Sequence, residues 1–228
     1  MQIRLNLKIF IFIILFIITR QIEIYGILML FAMIHELGHM LVGILLGFKP
    51  NSLNIMPFGV SVGFRVTCKN YNHKIGKANL LAVKKLIIAL AGPLTNLIIT
   101  IIYLVADLSF LGLDRQLVIY GNILLGIFNL IPIYPLDGGR IIKNILHILY
   151  GLEEAYHYTN MISNITIAIL TAVTSIGILY FKNIGILLIL GYLWFLVIKE
   201  NRKYKNKIKI YEVLHIQERK KKETYNQV

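Results

Sequence analysis

The sequence predicts an all-α polytopic membrane protein, with six transmembrane helices and a small β-hairpin at the membrane surface. Three observations lead there. The 228-residue chain is 57% hydrophobic and 15% charged, against about 45–50% apolar and about 25% charged in soluble globular proteins. Isoleucine alone accounts for 42 residues, more than one soluble core of this size buries. Six apolar runs then approach the length of about 20 residues that a membrane-crossing helix needs. A disulfide scaffold is excluded by the single cysteine, Cys68, and a disordered chain by the apolar excess.

The first run, 5–19, is short, with Lys8 placed to snorkel. The residues that follow, Arg20-Gln21-Ile22-Glu23, offer no small-residue cleavage site, so the run reads as a span and not as a signal peptide. The others are 24–48, 86–105, 117–136, 161–181 and 184–198. With six spans both termini share one side, and 21 of the 24 Lys and Arg residues fall on that side. The positive-inside rule makes it the cytoplasm. The net charge of +13 is thereby explained as topology, and no nucleic-acid partner is needed. Residues 1–198 are expected to form the membrane domain and 199–228 a basic cytoplasmic tail.

Between the second and third runs the period changes. Val60, Val62, Phe64 and Val66 alternate with Ser61, Gly63, Arg65 and Thr67, after Leu53 and Ile55 and the turn residues Pro57-Phe58-Gly59. That is strand spacing, and it predicts a hairpin over 53–67. Such a hairpin serves either as a flap over the helix ends or as an edge to which an extended peptide adds a strand.

The second run holds the chemistry: His35-Glu36-Leu37-Gly38-His39. Residues i and i+4 of a helix share a face, so both imidazoles reach one metal ion, with Glu36 placed beside a metal-bound water. Ionisable groups in an apolar span cost about 2–3 kcal/mol each when charged, and persist where they are partnered or functional. A catalytic zinc needs a third protein ligand. Asp107 and Asp114 fall in a short connection between spans, and Glu153 and Glu154 in a charged loop. Asp137 differs: it follows Pro132 and Pro135 and precedes Gly138-Gly139, a helix break at membrane depth. Broken backbone is tolerated there only when buried in protein or lining a wet cavity. Its competing role is an N-cap for the next helix. In the third run Gly92, Pro93 and Asn96 read as helix-packing residues. The residues leave three classes open: an intramembrane zinc protease, a metal transporter or channel, and an inactive scaffold.

The His-Glu-Leu-Gly-His run, the Gly92-Pro93-x-x-Asn96 motif and the Leu136-Asp137-Gly138-Gly139 break together resemble the site-2 protease family of intramembrane zinc metalloproteases. The phrase from Asn129 to Gly139 is most similar to the branch of stage IV sporulation protein FB. The resemblance implies Zn²⁺ held by His35, His39 and Asp137, with Glu36 catalytic and Asn129 and Pro135 contacting substrate. It further implies a membrane-tethered sigma-factor precursor as substrate, small membrane proteins as regulators, and residence in a bacterial cell membrane or the membrane around a forespore. The branch's C-terminal nucleotide-sensing domain is not expected in the residues after Ile198.

Overall fold

The computed structural model describes residues 2–5, 10, 13–14, 17–18, 20, 22–56, 59–65, 75–106, 114–181 and 184–225. Among them are three strands, β1 (Gln2–Leu5), β2 (Lys49–Met56) and β3 (Gly59–Arg65). The helices are α1 (Ile22–Leu45), α2 (Ile75–Val105), α3 (Arg115–Leu130), α4 (Asp137–Tyr150), α5 (Leu152–Phe181) and α6 (Ile184–Tyr225). The chain divides into two compact units, Met1–Ile131 and Pro132–Val228.

In the first unit, α1 is a proline-free apolar helix that stops at Gly47, whose φ of +87° suits a residue without Cβ. The Gly47 and Phe48 N–H groups donate back to the carbonyls of Ile44 and Gly43, both at 2.9 Å. Lys84 from α2 donates to the Leu46 carbonyl at 3.0 Å, adding a cation where the helix dipole is negative. Helix α3 opens on Asp114, whose carboxylate accepts from the Gln116 N–H at 2.9 Å. Phe31, Tyr103 and Val118, from α1, α2 and α3, form the buried apolar centre of this unit.

The predicted hairpin is present: β2 and β3 pair antiparallel with Leu53 opposite Val62 and Met56 opposite Gly59. Its register shifts between Pro50 and Ser52, where proline has no N–H for the ladder. Phe64 stacks on Phe48 just beyond α1, with ring centroids 6.1 Å apart. A third strand, β1, joins β2 in parallel, so β1 and β3 are the two edges of a β1-β2-β3 sheet. Four residues were too few for their period to show. Most of the first predicted span, 5–19, lies outside the described residues, as do 66–67 and 107–113.

The second unit departs from the expected loop at 137–160. Two helices occupy that stretch, α4 and the start of α5, joined at Gly151 with φ of +89°. Helix α6 runs unbroken past the end of its apolar run at Ile198 to Tyr225, helped by a Lys203–Glu200 ion pair one turn apart at 2.5 Å. Three helices are long and apolar enough to cross a membrane among the described residues: Tyr25–Leu45, Asn79–Val105 and Leu152–Gly177. The fourth run is interrupted, because α3 ends after 16 residues and 131–136 are irregular.

That irregular segment returns on itself, with the Leu136 N–H donating to the Ile133 carbonyl at 2.8 Å. It lies so close to the first turn of α4 that a Cβ on Gly139 overlaps backbone atoms of Ile133 and Tyr134. Backbone cannot swing aside as a side-chain tip can. Gly139→Ala is therefore expected to cost about 1–3 kcal/mol, as overpacking does. A lowered apparent Tm of the detergent-solubilised protein checks this.

Candidate metal centre

Helix α1 places His35 and His39 one turn apart, each 2% exposed. Their Nε2 atoms face each other at 3.2 Å, with the rings nearly perpendicular at 86°. A tetrahedral zinc with bonds of about 2.0–2.1 Å separates two nitrogen ligands by about 3.3 Å. The pair thus has the spacing of two edges of one coordination shell.

The opposite ring nitrogens are held from α2. His39 Nδ1 lies 2.6 Å from the Ile88 carbonyl, so it carries a proton and donates. The Gly92 N–H also points at that nitrogen from 3.2 Å. A protonated Nδ1 cannot accept, so the shorter carbonyl contact sets the tautomer and leaves His39 Nε2 with a lone pair. His35 Nδ1 meets the side-chain amide of Asn96 at 3.0 Å. The donors as placed run in sequence: Asn96 to His35, His35 to His39, His39 to Ile88. For both Nε2 atoms to bind metal, the His35 proton moves to Nδ1 and Asn96 presents its carbonyl instead. An amide carries both donor and acceptor and serves either state.

The approach of α2 depends on small residues. A Cβ on Gly92 overlaps the Nε2 atoms of both histidines, and one on Gly38 overlaps Thr95. In the sequence Gly92 and Asn96 read by default as helix-packing residues, with Asn96 able to bond across helices. Their direct support of the histidines was not legible, because it depends on which face of α2 meets α1.

Glu36 is the next residue on α1. Its Oε2 accepts from the backbone N–H of Val62 at 3.2 Å. Val62 belongs to β3, an edge strand of the sheet, so the strand's outer side is bonded to this carboxylate at Val62.

In the second unit, Asp137 is the first residue of α4 and only 4% exposed. The N-cap there is Leu136, with no side-chain capping bond, so Asp137 does not take the cap role. Its Oδ1 accepts from Arg140 at 3.5 Å. A carboxylate in a first helical turn is favoured by the helix dipole. Pro135 is half-buried in the 131–136 break. Asn129, at the end of α3 in the first unit, is half-buried and donates to the Leu125 carbonyl at 3.0 Å. Of the rival ligands, Asp114 is occupied as an N-cap, Glu153 and Glu154 lie in the first turn of α5, and Asp107 falls outside the described residues.

An apolar helical scaffold carrying a buried His-Glu-x-x-His pair can now be set beside known proteins. The model of Peptidase family M50 matches residues 24–113 and 108–173. The chain belongs to that family. It is 30% identical over 174 residues to a zinc metalloprotease of Methanocaldococcus jannaschii, covering 74% of this chain and 46% of the relative. The fold is similar to the solved structure of a site-2 protease from Methanocaldococcus jannaschii, with a TM-score of 0.61 and 27% identity, covering 87% of this chain and 89% of that one. The chain spans less than half the length of the curated relatives it matches.

Because Asn96 orients His35, Asn96→Leu is expected to weaken zinc binding about 10–100-fold, the usual effect of losing such an outer partner. Competition with a chelating dye measures it, and unchanged affinity would remove Asn96 from the site.

Proposed function

We propose that the protein is an intramembrane zinc endopeptidase in which His35, His39 and Asp137 hold the ion and Glu36 is the general base. The carrying observation is the pair of Nε2 atoms 3.2 Å apart, buried in an apolar helix and held from behind at both Nδ1 positions. Asp137 joins as a buried carboxylate at a helix break, and each of the three offers one ligand atom. When bound, zinc supplies a Lewis acid that polarises the scissile carbonyl and acidifies a water. Glu36 takes the proton from the attacking water and returns it to the departing amine.

The substrate enters, on this reading, as an extended segment added to the outer edge of β3. What supports it is position: a strand that takes over the Val62 N–H from Glu36 lies beside that carboxylate. The resemblance of the Asn129–Gly139 phrase makes a membrane-tethered sigma-factor precursor, cleaved during sporulation, the first substrate to try, with Asn129 and Pro135 holding it and small membrane proteins as regulators. Six spans with both termini in the cytoplasm follow from the apolar runs and the lysine asymmetry.

Two results are expected from the full chain in proteoliposomes with such a precursor. Glu36→Gln keeps its zinc and loses at least about 100-fold in cleavage rate, whereas Asp137→Ala loses both zinc and cleavage. Equal cleavage by wild type and Glu36→Gln would end the assignment of Glu36. A metal-replete Asp137→Ala protein would end that of Asp137. Val62→Pro removes the strand's outward N–H and is expected to slow cleavage about tenfold or more while leaving zinc content unchanged. Turnover at the wild-type rate would discard edge pairing.

A further inference from the structure

A second polar site lies wholly within the second unit, where α4, α5 and α6 enclose a small cavity. On one wall, Tyr156 carries two ammonium groups: Lys143 Nζ is 3.7 Å and Lys207 Nζ 3.9 Å from its ring centroid. Lys207 also donates to the Tyr156 hydroxyl at 2.7 Å, and Lys143 lies 4.7 Å from the centroid of Tyr134. An aromatic face attracts each cation, but the two like charges held on one ring repel. The cavity is lined by a third lysine, Lys203, and by one acid, Glu200, which pair with each other at 2.5 Å. Positive charge is therefore in excess around it.

Two further groups in the same cavity want a ligand. Thr159 is 4% exposed and its hydroxyl has no hydrogen-bond partner among the described residues, unlike Thr171, which bonds back to the preceding turn at 2.7 Å. Asn201 donates through Nδ2 to Asn164 at 2.9 Å, while its buried Oδ1 has no partner among the described residues. Buried polar atoms without partners are rare, and a group that satisfies them is strongly preferred. The ligand must offer oxygens to two lysines and a hydroxyl donor, while also offering a proton to Asn201.

We propose that this cavity binds a phosphate group, with anionic oxygens on Lys143 and Lys207, the Thr159 hydroxyl donating to a third oxygen, and the ligand's P–OH donating to Asn201. The site borders the start of the apolar window of α5, Leu152–Gly177. Lipid phosphates gather at such a boundary, so the same chemistry is available from a phosphatidic acid headgroup and from free phosphate. The proposal is independent of the protease reading.

The test uses the purified full chain. Inorganic phosphate is titrated in detergent, with sulfate as a control for general salt stabilisation. In parallel, nanodiscs of phosphatidylcholine containing phosphatidic acid are compared with ones containing phosphatidylserine at equal content. A saturable rise in apparent Tm of about 3 °C is expected in at least one arm, absent with sulfate or phosphatidylserine and absent in the Lys143→Gln/Lys207→Gln protein. A response in the lipid arm alone assigns a headgroup; one in the detergent arm alone assigns free phosphate. Thr159→Val keeps both lysines and the side-chain volume and is expected to weaken half-saturation about tenfold. No saturable rise in either arm, an equal rise in the controls, or an unaltered response in both variants overturns the site.

Discussion

Two imidazoles in an apolar helix must have their four nitrogens accounted for, and much of the first unit follows from that constraint. Each ring has one nitrogen available to a metal only if the other is engaged. Ile88 and Asn96 provide that engagement from α2. Without them the buried rings would rotate or change tautomer, and the 3.2 Å spacing of the Nε2 atoms would not persist. The helix pairing is thus set by hydrogen-bond geometry as well as by apolar contact. Hydrocarbon offers no alternative partners at this depth.

Close approach is the second condition. Gly92 puts backbone directly against the two rings, and Gly38 lets Thr95 pack on the facing surface of α1. These glycines do not serve flexibility; no side chain fits. The sheet is coupled to the same helix at two points, through the Phe64 ring lying against Gly43 and through Val62 on Glu36. The position of β3 and that of the Glu36 carboxylate are therefore linked. In the second unit, Gly139 plays the corresponding role, bringing the irregular 131–136 segment against the first turn that carries Asp137.

Much of this was legible in the sequence for physical reasons. The metal-ligand pair showed because helix periodicity fixes i and i+4 on one face. The hairpin showed because eight residues alternate from Val60 to Thr67, more than chance supplies. Asp137 stood out because prolines and glycines interrupt an apolar run. What stayed hidden depends on tertiary contact: Asn96 as the partner of His35, Val62 as the partner of Glu36, and β1 as a third strand. Helix ends were also misread where amphipathic segments continue an apolar run. Residues 75–85 extend α2, 137–150 form α4, and the lysine-rich 199–225 extend α6. Hydropathy detects the part facing lipid and is silent on helices that continue into water.

The central claim is that the histidine pair and Asp137 form one zinc shell. X-ray absorption at the zinc edge on the purified full chain tests it most directly. One zinc per chain with two imidazole nitrogens at about 2.0–2.1 Å and oxygen donors at about 2.0–2.2 Å is the predicted result, with the second-shell imidazole scattering reduced in His39→Asn. A spectrum dominated by sulfur at about 2.3 Å, or one unchanged by His39→Asn, would contradict the account.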